Sequence, residues 1–303
     1  MAQIDAATTE KRATNDPAPA PVVVGFDGSE EGRDALELAR VLCEARGARC
    51  IVATVLEYGP VSVRRALSDS EQSEADAIFD EARHRLTGIE VDCRIAGTRS
   101  PARMLAEVAE REGAATLVVG FPHHRSRAGR ALLGSVAEHL LHHSPCEVAI
   151  APLGYGSTRL SHFGFDQVSV AFDGTEESGR ALKGAEELAR VSGATIQILV
   201  AEDPVVTAVE AEGQQEARHR GESVLAAAIE SVPDSLQPRG MVVKANGRDV
   251  APHIATALAT RCDGDVLVCG RRSPQDRALL GSVTTHLLLA ARCPVLIVPP
   301  LPG

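Results

Sequence analysis

Two kinds of apolar pattern alternate along the chain. Short runs of β-branched residues, of which Val22–Phe26 is the first, are typical of strands buried on both faces of a parallel sheet. Between them lie longer segments in which apolar residues recur every three or four positions, as on one face of a helix. The first such segment begins after Ser29, a favourable N-cap, and ends at Gly47. The pattern therefore predicts a regular succession of strands and helices.

The first half of the chain contains five predicted strands and four predicted helices. Its clearest helix start is Ser100-Pro101, because a serine N-cap is followed by proline at the first helical position. The predicted strands are Val22–Phe26, Cys50–Leu56, an alternating segment with Val91, Cys93 and Ile95, Thr116–Val119 and Glu147–Ile150. The predicted helices start after Ser29, at about Asp69 (running to Leu86), after Ser100 and at Gly134-Ser135.

A long internal repeat relates the two halves. Val22-Val-Val-Gly-Phe-Asp-Gly-Ser-Glu-Glu returns as Val168-Ser-Val-Ala-Phe-Asp-Gly-Thr-Glu-Glu, 146 residues later. Arg130-Ala-Leu-Leu-Gly-Ser-Val returns as Arg277-Ala-Leu-Leu-Gly-Ser-Val, 147 residues later. Two motifs that keep nearly one offset across most of the chain indicate a tandem duplication.

The second half repeats the same order of elements. An alternation of this kind predicts an α/β fold with two tandem, doubly wound, five-stranded parallel sheets of the Rossmann type. The predicted units are a disordered tail over 1–20, a domain over 21–153, a linker over 154–164 and a second domain over 165–303. The second-half elements are Val168–Phe172, Glu176–Val191, Ile196–Ala201, Val209–Ile229, Met241–Lys244, Val250–Arg261, Val266–Cys269, Ser282–Ala290 and Val295–Val298.

Composition excludes several classes of function. The 303-residue chain has a formal net charge of -10, which argues against a surface built to hold nucleic acid or an anionic membrane. Lys11, Lys183 and Lys244 are its only lysines, and none follows a glycine-rich loop as a Walker A motif requires. With no tryptophan, two tyrosines and six phenylalanines, the chain has little aromatic surface on which unpaired bases could stack.

The seven cysteines and the histidines are interpreted as structural residues. The cysteines form no C-x-x-C pair and most lie in apolar runs, which favours buried, reduced thiols and a cytoplasmic location. His139, His142 and His143 share helical spacing, yet a solvated helix face is a simpler interpretation than a zinc site. No stretch approaches 18 apolar residues, so a membrane span is not predicted.

A candidate anion site follows from the strand order. In a doubly wound sheet, ligands bind beyond the carboxyl ends of the strands at the point where strand order reverses. Asp27 ends the first strand and Gly120 the fourth, and an arginine-rich loop then leads to a helix start at Gly134-Ser135-Val136. Free N–H groups at such a start bind phosphate, and arginine side chains can add bidentate contacts. The alternative is that these glycines only permit tight packing and that the arginines form a solvated rim. The loop arginines are Arg125, Arg127 and Arg130 in the first half and Arg271, Arg272 and Arg277 in the second.

Taken together, these motifs resemble the universal stress protein family over about residues 21–153 and 165–300. The resemblance implies a five-stranded fold of the adenine nucleotide alpha hydrolase type, with a motif G-x2-G-x9-G-[ST] in the ATP-binding branch. His123 and Ser273 stand where that motif has its middle glycine. The separations of the outer glycines also differ from the motif, at 14 residues in the first copy and 11 in the second.

The resemblance also implies roles for individual residues. Asp27 and Asp173 would contact the adenosine end, Val55 and Ala201 would flank adenine, and Gly120 and Gly270 would lie by the ribose. Phosphates would lie at the two Gly-Ser-Val segments. The full set of implied nucleotide-binding residues is Gly25, Asp27, Val55, Gly120, Arg127, Arg130, Gly134, Ser135 and Val136 in the first copy, and Asp173, Ala201, Gly270, Arg277, Gly281, Ser282 and Val283 in the second.

The leading functional hypothesis is a cytoplasmic stress-response regulator that binds an adenine nucleotide, ATP with Mg²⁺, without strong catalysis. A scaffolding module with two degenerate sites is the main alternative. A slow ATP hydrolase and a flavin-binding protein are weaker ones, since a lysine clamp and aromatic residues are scarce. The resemblance further implies an intramolecular pseudo-dimer in which Val148 and Ile150 meet Leu296 and Ile297. Association of two chains into a homodimer is left open.

Overall fold

The computed structural model describes most of the two repeated halves. The described residues are 18–57, 68–98, 100–121, 134–158, 164–202, 211–244, 250–261, 265–271 and 282–300.

Ten strands in this part of the chain form one continuous sheet. Their order is β3-β2-β1-β4-β5-β10-β9-β6-β7-β8, and every neighbouring pair is parallel except β5 and β10. The strands are β1 (Val22–Gly25), β2 (Cys50–Glu57), β3 (Val91–Thr98), β4 (Thr116–Gly120), β5 (Glu147–Ala151), β6 (Gln167–Phe172), β7 (Thr195–Glu202), β8 (Arg239–Lys244), β9 (Val266–Gly270) and β10 (Val295–Val298).

Helices cover both faces of this sheet. Residues of β1 alternate between the faces, with Val22 and Val24 on one side and Val23 on the other. Helices α1, α2, α6 and α7 pack on the first face, and α3, α4, α8 and α9 on the second. The helices are α1 (Glu30–Arg46), α2 (Asp69–Arg85), α3 (Pro101–Glu112), α4 (Ser135–His143), α5 (Tyr155–Thr158), α6 (Glu176–Ser192), α7 (Ala211–Ser231), α8 (Val250–Arg261) and α9 (Ser282–Ala290), with a 3-10 turn at Asp234–Leu236.

The predicted fold class is confirmed: both halves are doubly wound α/β units with the parallel order 3-2-1-4-5. Where both ends of an element are predicted, the structure agrees within two residues. The local reasons are visible at the helix ends. The Ser29 hydroxyl accepts a hydrogen bond from the Gly32 N–H at 3.0 Å, and Gly47 ends α1 with a φ of 61°.

The two halves meet along their last strands. Strand β5 pairs with β10 in antiparallel fashion, with Val148 opposite Ile297 and Ile150 opposite Val295. Leu296 lies opposite Ala149 in this register. The hydrophobic layers of both faces therefore continue from one half into the other.

The segment predicted as a linker begins with a folded turn. Helix α5 occupies Tyr155–Thr158, and it packs on α1. The buried carboxylate of Asp34 in α1 accepts hydrogen bonds from the N–H groups of Gly154 at 2.7 Å and Gly156 at 2.8 Å. Composition alone did not predict this attachment, because its partner lies in a helix more than one hundred residues earlier in the chain.

No disulfide joins any two of the cysteines within the described residues. Cys43, Cys50 and Cys269 are buried, whereas Cys93, Cys146 and Cys293 are partly buried. Burial raises the pKa of Cys146 to about 11, so this thiol stays protonated at neutral pH. Cys262 lies outside the described residues.

Candidate functional site

A cleft of about 530 Å³ opens where the carboxyl ends of β1 and β4 lie side by side. This is the point at which strand order reverses in the first half, where doubly wound sheets place their ligands. The cleft brings together seven residues that the sequence singles out: Gly25, Asp27, Val55, Gly120, Gly134, Ser135 and Val136. Further walls come from residues that the sequence did not single out, among them Gly32, Ala53, Pro101, Leu105 and Val119.

The N-terminus of α4 forms one end of the cleft. Gly134 is the N-cap residue, and no side chain among the described residues caps the helix there. Ser135, Val136 and Ala137 all line the cleft, and N–H groups in the first turn of a helix have no partner within it. These N–H groups and the positive end of the helix dipole make this end of the cleft suited to an anion.

The strand-end aspartates are bound to the helix starts that follow them. Asp27 accepts hydrogen bonds from the N–H (3.0 Å) and hydroxyl (2.5 Å) of Ser29, the N-cap of α1. In the second half, Asp173 accepts the corresponding bonds from the N–H (3.0 Å) and hydroxyl (2.6 Å) of Thr175. Both aspartates therefore shape the turn between strand and helix, whether or not a ligand reaches them.

The two strand-end glycines, Gly120 and Gly270, lie too close to a helix backbone for any side chain to fit. A Cβ atom on Gly120 would lie 2.1 Å from the carbonyl oxygen of Glu31 in the first turn of α1. On Gly270 it would lie 2.2 Å from the carbonyl oxygen of Glu177 in α6. Both glycines let the helix that follows the neighbouring strand, β1 or β6, pass close to the strand end, so the packing interpretation accounts for them in both halves.

Comparison with known proteins agrees with this architecture. The sequence model of the Universal stress protein family matches residues 20–152 and 164–299. The chain belongs to the universal stress protein family. Universal stress protein Rv2319c from Mycobacterium tuberculosis is 28% identical to it, over 92% of this chain and 99% of that protein.

Solved structures share the tandem fold. A universal stress protein from Archaeoglobus fulgidus aligns over 92% of this chain and 96% of its own, with a TM-score of 0.64 and 19% identity. Another solved universal stress protein, in complex with cAMP, matches 44% of this chain and 97% of its own at 30% identity, with a TM-score of 0.38. That ligand is a property of that protein.

The second universal stress protein repeat has larger side chains at three positions that line the cleft of the first, although Ala201 there is smaller than its counterpart Val55. Both repeats share the same strand register, so residues 146 positions apart are equivalent in β1 and β6 and in β2 and β7. Ala171 replaces Gly25, Leu199 replaces Ala53 and Ser178 replaces Gly32. The Ser178 hydroxyl also accepts a hydrogen bond from the Asp173 N–H at 3.3 Å. The larger side chains occupy volume that is open in the first repeat. The Ser178 hydroxyl also engages the Asp173 N–H, whereas the equivalent position in the first repeat is Gly32, which has no side chain.

The structure describes some, but not all, of the other second-repeat residues that the family resemblance implies as nucleotide ligands. Ala201 and Val283 are partly buried against the hydrophobic layer, and Ser282 is the first residue of α9. Gly281 and Arg277 lie outside the described residues, as do Arg127 and Arg130 of the first repeat.

Arg271, counted from the sequence among the loop arginines that would bind phosphate or form a solvated rim, does neither in the structure. Its side chain is buried, with 7% of the residue exposed, and burial lowers the pKa of its guanidinium. The guanidinium donates hydrogen bonds to the carbonyl oxygens of Leu141 at 3.2 Å and Ser144 at 3.1 Å, in the first repeat. The sequence could not distinguish this arginine from its loop neighbours, because its partner is a helix end in the other repeat.

The histidines of α4 form a small cluster at the helix's C-terminal end. The rings of His139 and His143 stack with 4.4 Å between their centroids. Burial lowers the pKa of His142, and the charges of His143 and Arg271 act in the same direction. Across the described ranges, no group of three or more potential ligands could hold a metal ion. None of the helices described is both long and apolar enough to cross a membrane.

Proposed function

We propose that this universal stress protein binds an adenine nucleotide, ATP with Mg²⁺, in the cleft of its first repeat. Binding would stabilise one conformation and alter partner contacts, so that the protein acts as a non-catalytic regulator of a stress response in the cytoplasm. The observation that carries the proposal is the N-terminus of α4, which no described side chain caps and which opens into a cleft at the topological switch point.

The shape and chemistry of the cleft support this ligand class. Its volume lies within the range of about 300–1,000 Å³ that is usual for small-molecule sites. Val55, Ala53 and Leu105 provide apolar walls for a base, and the first turn of α4 provides donors for phosphate oxygens. Asp27 and Glu31 are the acidic residues that line it, so Mg²⁺ would depend mainly on the phosphates for its ligands.

The same lining residues argue against efficient hydrolysis. No lysine is among the described residues that line the cleft, so these residues provide no lysine clamp for the phosphates. Bound ATP would therefore act as a signal whose presence changes the protein, with slow hydrolysis as the weaker alternative.

The test is release and rebinding of nucleotide. We expect heat-denatured, freshly purified protein to release an adenine nucleotide and calorimetry to show one ATP site per chain. Gly134→Asp should weaken ATP binding by about 100-fold or more, because it places a carboxylate against the phosphates. Gly281→Asp tests the second repeat by the same means.

Gly179→Asp is the matched control. A Cβ atom at Gly179 has no neighbour within 4 Å, and an acidic residue in the first turn of α6 is favourable. This variant should bind ATP like the wild type. No released nucleotide and no heat with ATP in the wild type would overturn the proposal.

That negative result would favour the second candidate, a scaffolding module. The continuous sheet across β5 and β10 and the larger side chains of the second repeat are the observations that favour it. In either case we propose that the repeats act as an intramolecular pseudo-dimer joined through these strands. Light scattering of the purified protein would decide whether two chains associate further into a homodimer.

A further inference from the structure

The side chain of one second-repeat arginine is hydrogen-bonded to α4, the helix whose N-terminus forms the proposed phosphate end of the first-repeat cleft. Arg271 follows β9 directly, and its guanidinium donates to the carbonyl oxygens of Leu141 (3.2 Å) and Ser144 (3.1 Å). These carbonyls lie at the C-terminal end of α4. The N-terminus of the same helix lines the cleft.

The end of α4 has a specific need for such a donor. A helix carbonyl normally accepts from the N–H four residues later, but the residue four after Leu141 is Pro145, which has no N–H. The Arg271 guanidinium supplies the missing donor from another part of the chain. Its positive charge also lies at the negative end of the helix dipole, where a cation is favourable.

The backbone of Arg271 is held on the second-repeat side. Its N–H donates to the carbonyl oxygen of Val298 in β10 at 2.8 Å. Its own carbonyl oxygen accepts from Arg180 Nη2, in α6, at 3.2 Å. The guanidinium therefore transmits the position of β9, β10 and α6 to the end of α4.

The first repeat has no equivalent of the Arg271 contact at the matching position. Phe121 occupies the position after β4 that Arg271 occupies after β9, and its N–H makes the equivalent bond to Ala151. A phenylalanine side chain cannot donate to helix carbonyls, so the first repeat offers no matching contact from this position. The repeats thus differ at this position, and only in the second does the side chain, the guanidinium of Arg271, contact a helix of the other repeat.

We propose that Arg271 is a positioning residue for the phosphate end of the first-repeat cleft. By fixing the C-terminal end of α4, it sets where the free N–H groups of the helix point. Helix α4 has nine residues and is about 13 Å long, so we expect a shift of its C-terminal end to displace its N-terminus as well. The inference rests on the proposed function and adds to it: occupancy of the first-repeat site depends on the state of the second repeat.

The test compares ATP and adenosine binding to full-length Arg271→Met. Only ATP reaches the N–H groups of α4 with phosphates, so its affinity should fall about fivefold or more while that of adenosine stays unchanged. Arg271→Lys keeps the charge but loses the planar fork of donors, and it should give an intermediate loss. Equal losses for both ligands, or no loss for either, would overturn the inference.

Arg46→Met is the control for general destabilisation. Arg46 is a largely buried arginine that lies in the first repeat, and its described partners are Thr116 and Glu147. This variant should be less stable than the wild type without a selective loss of ATP affinity. A selective loss in Arg46→Met would show that the effect is not particular to Arg271.

Hydrogen exchange of the ligand-free protein separates this inference from the nucleotide proposal. In Arg271→Met, amides of α4 should exchange about tenfold faster than in the wild type, whereas those of α3 should not. If the wild type bound no nucleotide, the proposed function would fail, and this measurement would still report on the contact. Unchanged exchange in α4 would refute the positioning role.

Discussion

The two repeats agree where the fold needs particular residues and differ in side-chain volume at the strand ends that border the first-repeat cleft. Asp27 and Asp173 hold the helix starts through the same pair of hydrogen bonds. Gly120 and Gly270 both avoid a contact of about 2 Å with a helix carbonyl. The aspartates belong to a motif that the repeat preserves and the glycines end equivalent strands, and the role that each pair shares is structural.

The differences concern side-chain volume at the cleft. Small residues at Gly25, Gly32 and Ala53 border the first-repeat cleft, whereas the second repeat has Ala171, Ser178 and Leu199 at these positions. Identity at the strand-end aspartates and glycines therefore marks what both folds require. The positions that diverged change the side-chain volume beside a Gly-Ser-Val segment that both repeats keep.

The largest expected loss of stability is at the strand-end glycines that both repeats share. Gly120→Ala and Gly270→Ala should each destabilise the protein by about 4 kcal/mol, because each Cβ would meet a backbone carbonyl that cannot move aside cheaply. Urea unfolding followed by circular dichroism measures both changes.

The similarity of the two values is the informative result. If only Gly120→Ala were costly, the glycine in the second repeat would not be a packing requirement, and the equivalence of the repeats would fail at this position. Gly179→Ala is the control, since its Cβ would have no neighbour within 4 Å.

A somewhat smaller effect is expected at a buried polar group that the second repeat lacks. Arg46 donates to Glu147 at 2.7 Å and to Thr116 at 2.6 Å at the amino-terminal edge of β4 and β5. Ser192 and Val266 stand at the positions of Arg46 and Thr116 in the second repeat.

Arg46→Met should cost about 3 kcal/mol, because it leaves a largely buried carboxylate without its cation. Arg46→Met combined with Glu147→Gln should recover part of that loss in the same urea experiment. Equal stability of Arg46→Met and the wild type would show that the ion pair contributes nothing net.

The sequence predicted the fold well because the determinants of its elements are local. Each element is defined by residues within it or next to it. The signals are the spacing of apolar residues, the β-branched runs, and caps such as Ser29, Ser100 and Gly47. The internal repeat then supplied the domain organisation. The structure places the Gly-Ser-Val segment of the first repeat at the cleft, next to the strand ends predicted to meet there.

What the sequence could not predict depends on contacts between distant segments. Asp34 is an ordinary polar residue in a helical pattern until Gly154 and Gly156 pack against it. Arg271 looks like one of several loop arginines until the antiparallel pairing of β5 and β10 brings α4 beside it. Volume at the cleft likewise depends on Ala53, which has no chemical signal of its own.

The smallest expected effect concerns a surface ion pair confined to the first repeat. Arg33 in α1 contacts Glu81 in α2 at 2.7 Å, and Gly179 stands at the Arg33 position of the second repeat. The hydrogen bond from Arg33 lowers the pKa of Glu81, with Arg85 acting in the same direction. Both side chains are about one third exposed, so solvent screens the pair. Glu81→Gln should therefore cost about 0.5 kcal/mol at pH 7.

The pH dependence gives this small effect a distinctive sign. Because the folded-state pKa of Glu81 lies below the unfolded value of about 4.3, the carboxylate stabilises the protein above that value. Its contribution is lost as the pH falls through the folded pKa, where both states bind the proton. Urea unfolding should thus separate wild type from Glu81→Gln at pH 7 and make them converge at a lower pH, once the pH lies below the folded-state pKa of Glu81. Glu74→Gln, at an exposed position of the same helix, should match the wild type at both values. A difference between wild type and Glu81→Gln that persisted at the lower pH would mean that Glu81 contributes through packing and not through its charge.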